Sequence, residues 1–453
     1  MDSQQLRARS EAEFPEVLEF LKGLVRIPSV SSLPTHEADM QRSAEYIVEA
    51  LGKVGAEAQI VTVTNPDGLL SRPAILAQKR GPEGAPTVLL YAHHDVQPTG
   101  DLSKWDTNPF EPTEKDGRLY GRGVSDDGAG VAAHLAALKA WGDDLPVTVK
   151  LFIEGEEEVG SPTFEAFLHA HQEFLESDVI IVADSGNWER HEPAITTGLR
   201  GVISADITVK VADHAVHSGA FGGPLLDAPT ALCRLLATLH DEDGAVAVPG
   251  LLRQESAEVT YPETDFRAQT GMVAGMRLAG RGDLAARLWF QPSLTVIGMD
   301  VTSLEHASNT IHPQATARIS LRIAPGQDPR AAADKLREYV LSQAPFGAEV
   351  SFTPRDLGPA YSADLASPVL SLMHEALGEA YGHPCVNIGL GGSIPFISSF
   401  QELFPHAQVL VTGVEDPYSQ AHSENESQDI QDLFSAGLAE ALLFAKLPGQ
   451  IGK

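Results

Sequence analysis

From Glu13 to about Ala183 the chain alternates helical periodicity with short β-rich runs, the pattern of an α/β sheet carrying helices on its faces. Apolar spacing predicts helices over Phe14–Val25, stopped by the Ile27-Pro28 step, Asp39–Val54 and Gly128–Trp141. Runs at Ala58–Val63, Thr87–Ala92, Val147–Glu154 and Val179–Ala183 predict strands, several of them continuously apolar as in strands covered on both faces. The character changes after Gly201. VISADITVKV alternates like a half-buried strand, the Gly-rich HSGAFGGP loop follows, and Ala228–His240 reads as a helix. Thr316–Ile323 alternates in the same way and Pro329–Gln343 is helical, so the order strand, helix, strand, helix predicts a small α/β layer. Beyond about Ala363, the helix Ser367–Tyr381, the strand Gln408–Thr412 and the helix Ile430–Ala445 read as a return to the first domain. The expected fold is therefore two-domain α/β: a larger sheet domain in residues 1–200 and 364–453, with a smaller α/β domain, 201–363, inserted between its halves. No internal repeat of solenoid length is visible.

Length supports the division, since 453 residues exceed the roughly 250–300 at which single cores stop growing. Apolar residues at 43% and charged ones at 21% are ordinary for a folded soluble protein. A formal charge of -30, from 62 acids against 32 bases, argues against a nucleic-acid partner, because phosphate binding needs clustered Lys and Arg. Cys233 and Cys385 lie far apart with no C-x-x-C spacing, so neither a disulfide framework nor a zinc ribbon is expected. The N-terminal MDSQQLRARSEAEF has no apolar segment, and no run reaches the roughly 18 apolar residues of a spanning helix. A cytoplasmic protein with no membrane partner is the expectation.

The chemistry concentrates at strand ends. Leu89-Leu90-Tyr91-Ala92-His93-His94-Asp95 runs from an apolar strand into a polar tip, and ligands of open α/β sheets bind at carboxyl ends of strands. Asp126 sits in the Gly121–Gly128 turn before a helix, Glu156-Glu157-Glu158 follows the strand ending at Glu154, and Asp184 closes a fourth strand. Intervals of about thirty residues between His93, Asp126 and Glu158 match one strand-helix unit per step. Imidazole and carboxylate without thiolate is the donor set of catalytic rather than structural metal sites. His169 and His171, on an amphipathic helix, and His312 and His383 read as ordinary solvated residues.

Together these segments resemble the M20 family of metallopeptidases, which includes dipeptidases, carboxypeptidases and deacylases of N-acyl amino acids. Arg26-Ile27-Pro28-Ser29, His93 to Pro98, Gly121 to Asp127, Glu157-Glu158, Asp184, Val216-His217-Ser218-Gly219, Gly391-Gly392-Ser393-Ile394-Pro395 and Ala421-His422-Ser423-Glu424-Asn425-Glu426 carry the resemblance. HxDVQP, GGSIP and AHSENE together look most like the dipeptidase branch. The resemblance implies that Asp126 bridges two divalent ions, zinc first with manganese or cobalt also accepted, held further by His93 and Asp184 on one side and Glu158 and His422 on the other. It implies Glu157 as general base, Asp95 as the acid orienting His93, and a cis peptide at Asp126-Asp127. The inserted domain would be a lid that forms a homodimer, with His217 reaching the partner's site to stabilise an oxyanion. Thr310, Arg322, Gly392 and Ser393 resemble ligands of a small peptide substrate. Two divalent cations against three carboxylates leave one positive charge, which a bridging hydroxide would neutralise.

The sequence also departs from the family pattern. His94 and Gly128 replace commonly aromatic and basic neighbours, and Gly389-Leu390 stands where dipeptidases often place an Arg and an acid at the substrate end. An amidohydrolase of N-acyl or N-carbamoyl amino acids would use the same metals and base, and separating it from a dipeptidase requires an acidic partner for the free α-amine, which no residue can be assigned. A catalytically silent metal-binding dimer would not need Glu157. Serine chemistry fits worse, because Gly-x-Ser-x-Gly is absent.

Overall fold

The computed structural model describes residues 1–392 and 395–451. Its backbone divides into two compact units, Met1–Thr197 with Ala363–Asn387 and Ser399–Lys453, and Gly198–Ser362 with Ile388–Ser398. The last of these segments falls with the second unit, whereas the sequence pattern places it in the returning part of the first. The fold is α/β throughout, and none of the described helices is long and apolar enough to cross a membrane.

A six-stranded mixed sheet organises the first unit, in the order Glu57–Val61, Ala74–Lys79, Thr148–Glu154, Thr87–His93, Val179–Val182, Gln408–Val411. Its last four strands run parallel. Thr87–His93 is buried beyond its first residue and Val179–Val182 is buried throughout, as continuous apolar runs demand in a sheet covered on both faces. Helix Gly128–Trp141 is almost wholly buried, which its small residues permit, and it packs with Ser3–Val25 and Ile430–Lys446 into one apolar core. The carboxyl ends of the parallel strands all open on one edge, and the candidate donors follow them.

In this unit the structure extends the sequence pattern at its first helix and in its sheet. The first helix starts at Ser3 rather than Phe14, because an Asp2 capping box with Gln5 nucleates a polar first half that buries Leu6 and Ser10; Pro15 lies inside it. Ala74–Lys79 is an additional strand, antiparallel to both neighbours.

In the second unit the sheet is antiparallel, in the order Ser293–Asp300, Gln314–Ile323, Gly201–Lys210, Glu349–Gly358. Helices Ala228–Ala237 and Pro329–Ser342 share its apolar core, and the strict burial alternation of Gln314–Ile323 reflects that one-sided cover. On the opposite face Asp206 pairs with Arg318 and Arg355, which hold its carboxyl at about 2. The sequence reading missed the strands Ser293–Asp300 and Glu349–Gly358, both edge strands largely exposed and therefore without the apolar alternation that marks the two central ones.

Candidate active site

His93 ends its strand with a fully buried ring. Nδ1 lies 3.0 Å from the Asp95 carbonyl oxygen, which leaves Nε2 directed at Asp126 Oδ1, 3.0 Å away. The Asp95 carboxylate does separate work: its two oxygens accept from the backbone N–H groups of Glu157 and Glu158 at 3.2 and 3.1 Å. One residue thereby fixes the ring of one strand end and the turn of the next.

Asp126 sits in the turn before helix Gly128–Trp141, joined to Asp127 by a cis peptide bond. Gly123 makes the turn possible, with φ at +72° and no room for a Cβ, which would lie 2.2 Å from Val96 Cγ1. Asp127 caps the helix through Gly130 N–H at 3.1 Å and accepts from His93 N–H at 3.1 Å. The turn is clamped by Glu426. Its Oε2 accepts from Arg122 Nη1 and Gly123 N–H at 2.6 and 3.0 Å, and its Oε1 from Ser125 and Asp126 N–H at 2.9 and 3.2 Å. Glu426 belongs to the AHSENE segment but carried no role in the sequence; its importance lies in contacts some three hundred residues away in the chain.

On the other side of Asp126, His422 Nε2 lies 2.8 Å from Asp126 Oδ2 and 3.1 Å from Glu158 Oε2. His422 is exposed, in a loop where Gln420, His422 and Asn425 all have positive φ. Gln97 Nε2 donates to Glu158 Oε2 at 2.7 Å. Two donor groups result, His93 with Asp126 and Asp184, and Asp126 with Glu158 and His422, each with its ligand atoms within 4.8 Å of one another. Glu157 belongs to neither.

The electrostatics follow from burial and crowding. Bonds to Asp126 and Glu158 raise His422 to about 11. Burial works against the charge on Asp126, but His422 and His93 outweigh it and hold that carboxyl well below the ordinary range. Burial, with Asp126 and Glu157 nearby, pushes Asp184 up to about 8. Glu157 is also raised, chiefly by burial and then by Glu158 and Asp126. Glu415, on the loop after Gln408–Val411, is raised well above its ordinary range by burial, Asp126 and Asp184.

The donor set fits divalent cations. Tetrahedral coordination with bonds of about 2.1 Å has ligand–ligand edges of roughly 3.4 Å, and the three His–carboxylate separations run from 2.8 to 3.1 Å. All donors are nitrogen or carboxylate oxygen, and Asp126 offers one oxygen to each group. Such an edge on an open α/β sheet has the layout of a metallohydrolase.

The sequence pattern of peptidase family M20/M25/M40 matches residues 89–441, and the chain belongs to that family, a metallopeptidase by class. The cysteinylglycine-S-conjugate dipeptidase of Corynebacterium striatum is 32% identical over 94% of this chain and 94% of its own length. The Beta-Ala-His dipeptidase of Homo sapiens is 30% identical, over 91% of this chain and 86% of its own. The crystal structure of human carnosine dipeptidase 1 superposes with a TM-score of 0.73 at 26% identity, covering 98% of both chains.

The remaining sequence candidates lie in the second unit. His217 and Thr310 face one another as ladder partners in a two-stranded pair, and the exposed His217 accepts from Gly219 N–H at Nδ1, 3.1 Å. Arg322 is on the sheet face opposite the helices, with Ser293 and Val202 as ladder partners. Sequence reasoning passed over Arg200, whose Nη1 donates to Ser293 Oγ at 2.9 Å and Nε to Gly391 O at 3.3 Å; burial and the neighbouring Arg322 lower it to about 10. Gly392 is exposed beside that contact, and Ser393 lies outside the described residues. His94 is a buried core residue, with Nε2 2.8 Å from Pro73 O and Nδ1 3.1 Å from Ser43 Oγ. His169 is exposed, while the His171 ring lies tilted against Phe167 with centroids 4.7 Å apart.

Proposed function

We propose that the protein is a two-metal dipeptidase, cleaving the peptide bond of dipeptides or short peptides. The single observation that carries this reading is Asp126, whose two oxygens face His93 on one side and His422 on the other within two overlapping donor groups. His93 and Asp184 would hold one divalent cation, Glu158 and His422 the second, and Asp126 both. Zinc is the first choice for this nitrogen and oxygen set, with manganese or cobalt as alternatives. When bound, the cations supply Lewis-acid polarisation of the scissile carbonyl and a water acidic enough to ionise near neutral pH.

Glu157 is the general base: it takes the proton from the attacking water and delivers it to the leaving amine. Its backbone is held by Asp95 while its carboxylate remains outside both donor groups, as proton transfer requires. Asp95 is a positioning residue for His93 and for the Glu157-Glu158 turn. His217, Thr310, Arg322, Gly392 and Ser393 supply substrate contacts. Arg322, with Arg200 beside it, suits a substrate carboxylate, and His217 stabilises the oxyanion in the site of a partner subunit. A homodimer through the second unit is supported by the edge strand Ser293–Asp300, which exposes Val296, Ile297 and Met299. The cytoplasm is the compartment that suits Cys233 and Cys385, which form no disulfide.

The Corynebacterium striatum and Homo sapiens relatives are both dipeptidases by name, which supports a dipeptide over an N-acyl amino acid. The test is to strip the metals, restore Zn²⁺, Mn²⁺ or Co²⁺ in turn, and assay dipeptides against N-acyl and N-carbamoyl amino acids. Metal-dependent dipeptide hydrolysis is expected. Activity confined to N-acyl substrates would make the protein a deacylase, and two bound metals with no turnover on any panel member would make it a silent metal-binding dimer.

A further inference from the structure

A dipeptide differs from an N-acyl amino acid in its free α-ammonium group, and bond geometry fixes where that charge must sit. With N–Cα and Cα–C bonds near 1.5 Å and an angle of about 111°, the amine lies about 2.5 Å from the scissile carbonyl carbon. Its partner must therefore border the donor edge itself.

Nearly every acid on that edge is already occupied. Asp126, Glu158 and Asp184 are donors and Glu157 is the base. The Asp95 carboxylate takes two amide N–H groups, Asp127 takes those of His93 and Gly130, and Glu426 takes four donors of the Asp126 turn. Farther back, Glu154 accepts from Tyr91, and Glu156 from Arg72 and Thr163. Glu415 remains. Its side chain bonds to none of the described residues, and Oε1 is shielded from solvent with no hydrogen-bond partner. A shielded carboxylate oxygen without a partner forgoes its hydration with nothing in return, so its place beside the donors points to a ligand that pairs with it.

The backbone holds Glu415 in place. Thr412 N–H donates to Val182 O at 2.9 Å and Asn187 N–H to Glu415 O at 2.7 Å, while a parallel bridge joins Glu415 to Gly186, two residues beyond Asp184. Gly413 is required for this close run, since a Cβ there would fall 1.5 Å from Ser185 O. Asp126 and Asp184 are the charged groups that act on Glu415 most strongly, which puts its carboxylate beside the donor edge.

We infer that Glu415 is the anchor for the substrate α-ammonium, and that it selects free peptides over N-acylated ones. The inference rests on the dipeptidase reading and supplies an acidic partner that the segment Gly389-Leu390 lacks. No bond is made or broken at Glu415; it forms a charge-assisted hydrogen bond to the ammonium.

The test compares alanyl-glycine with propionyl-glycine, which lacks only the amine, on the full chain loaded with metal. Wild type should show a lower KM for alanyl-glycine than the inhibition constant of propionyl-glycine. Glu415→Gln should raise the alanyl-glycine KM about 10- to 100-fold, collapse that preference and keep two metals per chain, and Glu415→Asp should restore part of it. An unchanged preference in both Glu415→Gln and Glu415→Ala overturns the anchor while leaving the dipeptidase standing. Loss of metal in both variants also overturns it, by making Glu415 a support of the metal centre. A wild-type protein that cleaves N-acyl amino acids and no dipeptide removes the parent reading, and this inference with it.

Discussion

Glu426→Gln should loosen the turn that presents Asp126. The carboxylate accepts four hydrogen bonds, from Arg122, Gly123, Ser125 and Asp126, and the Arg122 and Glu426 side chains are 2% and 0% exposed. Glutamine keeps one acceptor oxygen, hence two of those bonds, and turns an amide N–H toward the other two donors. Removing one charge of a buried pair costs about 3–5 kcal/mol, and each unmet buried N–H about 1–3 kcal/mol. These overlap, so roughly 4 kcal/mol is the expected local loss. At 1.4 kcal/mol per tenfold, amide exchange at Gly123, Ser125 and Asp126 should quicken by roughly 10²- to 10³-fold while the sheet core keeps its protection. Burial lifts Glu426 to about 7 despite Arg122, so the comparison belongs at pH 8, where the carboxylate is charged. Metal affinity should fall about 10- to 100-fold, the usual cost of losing a group that orients a ligand. Hydrogen exchange read by mass spectrometry, with a chelator competition for affinity, measures both. Unchanged exchange in the 121–126 turn with unchanged affinity would refute the clamp.

Because His422 is exposed and His93 fully buried, His422→Ala should lower metal content from two toward one with little loss of fold stability, whereas His93→Ala should lower metal content and destabilise the unit by about 2–5 kcal/mol; metal analysis and denaturation separate the two. The buried His134–Glu440 pair, 2.9 Å apart, sets a pH dependence. Burial alone would lower His134, but Glu440 outweighs it and raises the ring above its ordinary 6.5. That stabilisation is fully present below about pH 6.5 and lost as pH climbs through the raised value. Glu440→Gln should therefore cost most stability near pH 5.5 and least near pH 9, and an equal or larger loss at pH 9 would contradict the assignment. His217→Ala should keep its metals yet lose kcat, and mixing it with the Glu157→Ala protein should recover activity through hybrid dimers; no recovery would remove the shared site.

Much of the first unit was legible because burial imposes a period. Thr87–His93 and Val179–Val182 are continuous apolar runs, and Gly128–Trp141 carries both its cap and its apolar length in the local sequence. Ser3–Val25 was cut short because its first half is polar and Pro15 interrupts the pattern, while the Asp2 capping box starts the helix upstream. The edge strands Ser293–Asp300 and Glu349–Gly358 expose most residues and so have no alternation to read. At the site, donors at strand ends could be seen because each follows a recognisable apolar run. Glu426, Gln97 and Glu415 could not: their roles depend on contacts between distant loops, which no local period records.

The proposed function divides labour between adjacent glutamates, Glu158 among the donors and Glu157 moving the proton. Measuring metal content and turnover of Glu157→Ala on one preparation tests it most directly. Two metals per chain with kcat down by about 10²- to 10⁴-fold is the predicted result. Substantial hydrolysis with two metals bound, or loss of a metal on removing Glu157, would contradict it.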